Sequence, residues 1–171
     1  MKKEAMIETQ ETDAKMHVRA EKKEALQTQA AAAVQKERWE EALRCYGELL
    51  SVNGDDCAVY LGYGNCLLHL QRDYAGAERV FGEAAERFPE NRQAAERLAH
   101  VALRRGNVEK AQSLYAALCR RFPDYPAAVC GHADTLSAVG ELEQAVVLLR
   151  EFLERFPDSP MAHSTLVTTF G

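Results

Sequence analysis

Apolar residues recur along this chain at alternating steps of three and four, in short stretches separated by polar turns. Ala42, Leu43, Tyr46, Leu49 and Leu50 form one such stripe, and Leu142, Ala145, Val146, Leu149, Phe152 and Leu153 form another. That spacing predicts amphipathic helices, each with one buried face. The clearest unit runs from Arg92 to Tyr125 and reads as two short helices joined by a turn at Gly106-Asn107. Asn91 and Asn107 stand where helix caps are expected, and Ser159-Pro160 opens a further helix.

The unit repeats. Phe-Pro pairs stand at Phe88-Pro89, Phe122-Pro123 and Phe156-Pro157, in steps of 34 residues. A small residue recurs at Ala42, Ala77, Ala111 and Ala145, and a large one four places later at Tyr46, Phe81, Tyr115 and Leu149. Closely crossing helices need a small residue at the contact, and four residues on lies the same helix face. Proline stops the second helix of each pair, and glycine releases the chain between the two. A fixed period in this range marks a solenoid.

These residues resemble the tetratricopeptide repeat. In the unit from Arg92 the family's small, small, aromatic and proline positions hold Ala99, Ala111, Tyr115 and Pro123. The resemblance covers residues 23–171 and implies an all-α, right-handed solenoid of four helix pairs plus a C-terminal helix. The expected repeats are 23–56, 58–91, 92–125 and 126–159, followed by the terminal helix 160–171. The step from Ala42 to Ala77 is one residue longer, and the turn Asn53-Gly54-Asp55-Asp56 is the expected place for the extra residue. Gly62 and Gly64 fall inside a predicted helix, which indicates either close helix packing or room for a ligand backbone. Residues 1–22 are charged, and two readings stand: a mobile tail, or a helical extension over the first repeat.

The resemblance also implies a binding surface. First helices line the inner wall of such a solenoid. Carrying the family's wall positions over places Tyr63 and His69 from the second repeat there. Arg97, His100 and Arg104 come from the third, and Asp134 from the fourth. Guanidinium forks beside an aromatic face suit carboxylates, a peptide chain or an acidic helix. The bland alternative is a solvated face with Glu96 and Asp134 pairing the arginines. The family's carboxylate clamp is not expected, since of Gln27, Ala31, Tyr63, Gln93 and Arg97 only Arg97 fits its pattern.

Three constellations give no reaction. Cys66, His100 and Asp134 share a wall position and have the types of a nucleophile, base and orienter, but neighbouring helix axes lie about 8–10 Å apart. His69, His100, His132 and His163 recur out of phase with the repeat, so no metal site is expected. Arg104-Arg105 and Arg120-Arg121 close helices, where cations suit the dipole without a ligand.

Composition narrows the class. The 171 residues are 47% hydrophobic, enough for a core, and the net charge of -5 gives no case for nucleic-acid binding. No apolar run approaches membrane-spanning length, and the polar start does not read as a secretory signal. Five cysteines without a Cys-x-x-Cys pair fit a reduced, cytoplasmic setting. The expectation is therefore a non-catalytic scaffold without cofactor that holds a peptide or protein segment in its concave groove. Two alternatives stay open. One is a subunit that self-associates through its apolar C-terminal helix. The other is a docking or regulatory segment of a larger enzyme, for which the bacterial style of the repeats suggests a transferase.

Overall fold

A computed structural model describes the backbone of residues 2–52 and 55–170, and the side chains of residues 16–52, 55–70 and 72–169. The turn residues Asn53 and Gly54, the side chains of Ala14 and Phe170, and Gly171 lie outside the described residues. All described regular structure is helical: α1 Lys2–Gln35, α2 Trp39–Val52, α3 Cys57–Gln71, α4 Tyr74–Arg87, α5 Arg92–Arg104, α6 Val108–Arg121, α7 Pro126–Ala138, α8 Leu142–Arg155 and α9 Pro160–Phe170. The chain divides into two compact units, Met1–Asp73 and Tyr74–Gly171.

In the first unit α1 packs on α2, and α2 on α3. Leu26 and Ala30 of α1 meet Cys45 and Leu49 of α2 and Val59 of α3. A second cluster joins Ala33, Ala42 and Cys66, with Trp39 and Tyr46 packed against it. The backbone of residues 2–22 continues α1 rather than forming a separate tail; residues 16–22 are exposed, and burial begins at Lys23. Arg19 turns back and donates from Nε to the Val52 carbonyl at 2.9 Å, which caps the end of α2.

In the second unit each helix packs on the next, and α9 also packs on α7. Ala77, Ala111 and Ala145 are fully buried, as close helix crossing requires. Each Phe-Pro pair forms a tight turn. The carbonyls of Phe88, Phe122 and Phe156 accept from the N–H groups of Asn91, Tyr125 and Ser159 at 2.9, 3.1 and 3.3 Å. Proline is suited to the second position of such a turn because its φ is already set. Two of the three following helices are then capped by side chain, while α7 has Tyr125 at its cap without such a bond and Pro126 in its first turn. Asn91 accepts from the Gln93 and Ala94 N–H groups, and Ser159 from Ala162. Asn107 caps α6 in the same way through Lys110.

The turn between paired helices holds one left-handed residue each time: Glu37 (φ 54°), Arg72 (φ 49°), Gly106 (φ 79°) and Gly140 (φ 83°). Glycine fills two of these, and the other two carry the conformational cost of a side chain there.

The extra residue lies elsewhere than expected. Every second helix starts 18 residues before the next first helix, including Trp39 to Cys57 across the Asn53–Asp56 turn. The step from α3 to α4, Cys57 to Tyr74, is 17 residues, whereas Arg92 to Val108 and Pro126 to Leu142 are 16. The insertion therefore belongs to the end of α3 and its turn at Arg72. The second repeat is in phase from Cys57, not from residue 58, and its small packing residue is buried Gly64, matching Ala30, Ala99 and Ala133.

Candidate functional site

That one-residue shift changes which residues of the first unit hold the wall positions. With the corrected phase, Gly62 rather than Tyr63 matches Arg97 and Gly131, and Asn65 rather than Cys66 matches His100 and Asp134. Tyr63 is half-buried, and its ring comes within 3.6 Å of the position of a side chain on Gly47 of α2. His69 stays on the wall side but stacks on Trp39, ring centroids 3.9 Å apart and planes 2° from parallel. Cys66 is fully buried, and desolvation pushes its thiol up to about 11. It has neither the exposure nor the acidity of a nucleophile.

The remaining site residues share the second unit. Arg97, His100 and Arg104 lie on one side of α5, on successive turns. His100 is half-buried, and its Nδ1 is enclosed without a hydrogen-bond partner among the described residues. Desolvation, followed by the charges of Arg97 and Arg104, lowers its pKa, so the imidazole is neutral at pH 7. Arg104 is exposed and reaches the Tyr74 hydroxyl at 3.4 Å. Arg97 lies 3.9 Å from Glu96, whose carboxyl pKa is raised by burial against the opposing pull of Arg97. Asp134 on α7 is exposed overall, yet desolvation lifts its pKa, and it forms no ion pair with either arginine among the described residues.

A buried tyrosine lies behind this surface, one whose spacing in the sequence marks only the repeat. Tyr115 of α6 fills the space beside Gly131 of α7; a side chain there would begin 2.3 Å from the ring. Burial is the main cause that pushes the phenol pKa up, with the charges of Glu96 and Asp134 adding to it. The same construction occurs in the first unit, where Tyr46 fills the space beside Gly62. The glycines thus serve close packing by a tyrosine, not the approach of a ligand backbone. In the intervening repeat the pair sixteen residues apart is Phe81 and Arg97, so the one cation at this wall position stands where its neighbours have glycine. Tyr125 lies at the same end of the surface, under the guanidinium of Arg92 at 4.6 Å from the ring centroid.

The other histidines have separate surroundings. His163 contacts the Pro157 carbonyl at 2.7 Å, and His132 lies towards α6 and α8 with an Nδ1 that has no partner among the described residues. Among the described residues no three His, Cys, Asp or Glu side chains gather as a metal site. No described helix is long and apolar enough to cross a membrane.

Tetratricopeptide repeat family profiles match residues 28–73, 71–126 and 132–159. The chain belongs to the tetratricopeptide repeat family. No curated protein sequence matches it. Among solved tetratricopeptide structures, MamA residues 41 to the end from Desulfovibrio magneticus RS-1 superposes with a TM-score of 0.72 at 20% identity, covering 86% of this chain and 83% of that one. TTC0263, a thermophilic TPR protein of Thermus thermophilus, gives 0.73 at 17% identity, with 86% and 81% covered. YrrB, described as a TPR protein with an unusual peptide-binding site, gives 0.63 at 20% identity, with 82% and 72% covered. These likenesses establish the tetratricopeptide fold.

Proposed function

We propose that this tetratricopeptide protein is a non-catalytic interaction module, and that the α5–α7 surface of its second unit holds an acidic peptide segment. The observation that carries this reading is the α5 row of Arg97, His100 and Arg104. Two guanidiniums flank an enclosed imidazole nitrogen that has no partner among the described residues. A buried polar atom without a partner costs about 1–3 kcal/mol, and a ligand donor or acceptor would relieve that cost. Arginine forks take carboxylates in pairs, and half-buried Tyr125 borders the same surface. Peptide recognition by YrrB is a precedent within the fold. Asp134 would select against a ligand that is acidic along its whole length, or would pair a basic residue within it. The first unit contributes Gly62, Asn65 and His69 to its own first-helix face. Cytoplasmic residence remains part of this proposal.

The test is calorimetric titration with an acidic dodecapeptide containing one aromatic residue, using wild type and an Arg97→Ala/Arg104→Ala variant of unchanged helicity. A tenfold or greater loss of affinity in the variant supports the reading, and equal binding rejects it. A parallel pull-down from source lysate would then name the natural partner.

A second reading rests on α9. Met161 and Val167 are 50% and 72% exposed, while Ala162 is buried and Leu166 packs inward. Self-association through this apolar face predicts that Val167→Asp shifts the protein to a smaller species in sedimentation equilibrium; an unchanged mass would exclude it.

A further inference from the structure

The second unit carries two clefts that share three positions one repeat apart (Glu78 and Gln112, Leu98 and His132, Lys110 and Gln144), and they are finished differently. The first, of about 780 Å3, lies beside α4 and α6. Glu78 projects into it and is held by Lys110 at 2.6 Å and by Arg105. Glu78 is largely buried by this, and those two hydrogen bonds are the main cause that lowers its carboxyl pKa. The protein thus neutralises the acid of its own first cleft with an arginine and a lysine.

The second cleft, of about 520 Å3, lies beside α6 and α8. Moving on by one repeat replaces Glu78 with Gln112, Arg105 with Val139 and Lys110 with Gln144. All three members of the ionic closure are gone. Its floor includes buried Leu136. Leu148 and Val147 continue it, and Val147 is 54% exposed. Acid remains at the rim. Glu143, Val147 and Glu151 fall on successive turns of α8, and neither glutamate has an ion pair among the described residues. His132 adds a half-buried ring whose Nδ1 has no partner among the described residues.

We propose that the cleft between α6 and α8 is a second docking site, formed mainly by second helices, and that it takes a basic amphipathic helix from a partner protein. The apolar floor of Leu136, Val147 and Leu148 would receive the helix's leucine-like face. Glu143 and Glu151, two turns apart, would receive Lys or Arg at matching spacing. Glu143 and Glu151 themselves call for those cations; they stand at the rim of this cleft at other repeat positions than Glu78 does in the first.

The probe is a 14-residue synthetic helix with leucine on one face and lysine on the other, titrated into isotopically labelled full chain and followed by methyl and amide NMR shifts. A leucine/glutamate peptide of the same pattern is the control. The proposal expects the largest shifts at Leu136, Val147 and Leu148, and at least tenfold weaker binding of the control. It expects a similar loss in two variants. Val147→Asp changes an exposed residue and leaves the core alone. Gln112→Glu/Val139→Arg/Gln144→Lys installs the ionic closure of the preceding repeat, and an unchanged or raised melting temperature shows that it folds. Arg97→Ala/Arg104→Ala should bind the lysine peptide as wild type does, which separates this site from the acidic-peptide surface. Shifts centred elsewhere, equal binding by the closed variant, or no binding at millimolar peptide would overturn the proposal. Concentration-dependent shifts at the cleft without peptide would overturn it in favour of a second copy as occupant.

Discussion

The ring of Tyr115 occupies the space that any side chain on Gly131 would need, with Cε1 and Cζ both 2.3 Å from the position of a Cβ. Tyr115 is itself 2% exposed and surrounded by Ala99, Leu118 and Ala128, so it has little room to yield. Replacing a helical glycine by alanine ordinarily stabilises by up to about 1 kcal/mol, but overpacking costs about 1–3 kcal/mol. Gly131→Ala is therefore expected to lower the unfolding free energy by about 1–2 kcal/mol in urea titration. The loss should shrink in a Tyr115→Leu background, because the clash and the ring are one interaction. A stabilised Gly131→Ala protein would mean that the ring moves freely.

Glu37 adopts the left-handed conformation that Gly106 and Gly140 occupy in later repeats. The strain is local and the residue is exposed, so Glu37→Gly removes it without opening the core. A gain of about 0.5–1 kcal/mol is expected, despite the greater freedom glycine gives the unfolded chain. Gly106→Ala should move stability the opposite way by a similar amount. Thermal melts of the two variants check both signs.

Glu78 links stability to pH. Its folded pKa is lowered by Lys110 and Arg105, so its contribution is present above the unfolded value of about 4.5 and is lost as pH falls through the folded pKa. Glu78→Gln is expected to cost about 1 kcal/mol at pH 7, consistent with a small ionic network at a partly solvated site. The difference between the variant and wild type should vanish at the acid end of a stability profile. A difference that persists there would assign the loss to packing.

His100 gives the acidic-peptide surface its own pH signature. Its pKa is lowered while the surface is empty, and an anion bound between Arg97 and Arg104 would raise it, so binding would take up a proton. Glu96, whose pKa is raised by burial, would shed its repulsion in the same direction. Affinity for an acidic peptide should rise as pH falls from about 7.5 towards 5.5, and fall again once ligand carboxyls protonate near 4. His100→Gln should flatten most of the rise. An equally steep profile in that variant would assign the proton to Glu96.

The repeat was legible because its markers are obligatory. Alanine at a helix crossing and proline after a helix each have few substitutes, so Ala77, Ala111 and Ala145 and the three Phe-Pro turns announce themselves. The insertion in the second repeat was not legible. Its turn uses Arg72 for a conformation that glycine marks elsewhere, while Asn53-Gly54-Asp55-Asp56 offered a louder turn signal at the wrong place. One residue turns a helix by about 100°, and that is why Tyr63 and Cys66 leave the wall while Gly62 and Asn65 join it. The repeat positions of Arg97, His100 and Arg104 are unaffected by the shift because their repeat was the ruler. The α6–α8 cleft stayed hidden for another reason: it depends on what Gln112, Val139 and Gln144 fail to form, and an absent ion pair leaves no pattern in a string of letters.

The Arg19 to Val52 hydrogen bond redraws the edge of the first repeat. By periodicity that repeat begins at Lys23, and a protein shortened to that residue would keep Leu26, Ala30 and Ala33 in place. It would nonetheless give up the guanidinium that closes the end of α2, leaving the Val52 carbonyl to water and its last turn free to fray. The smallest sound module therefore begins upstream of Arg19, so domain trimming and repeat grafting should follow the cap rather than the period.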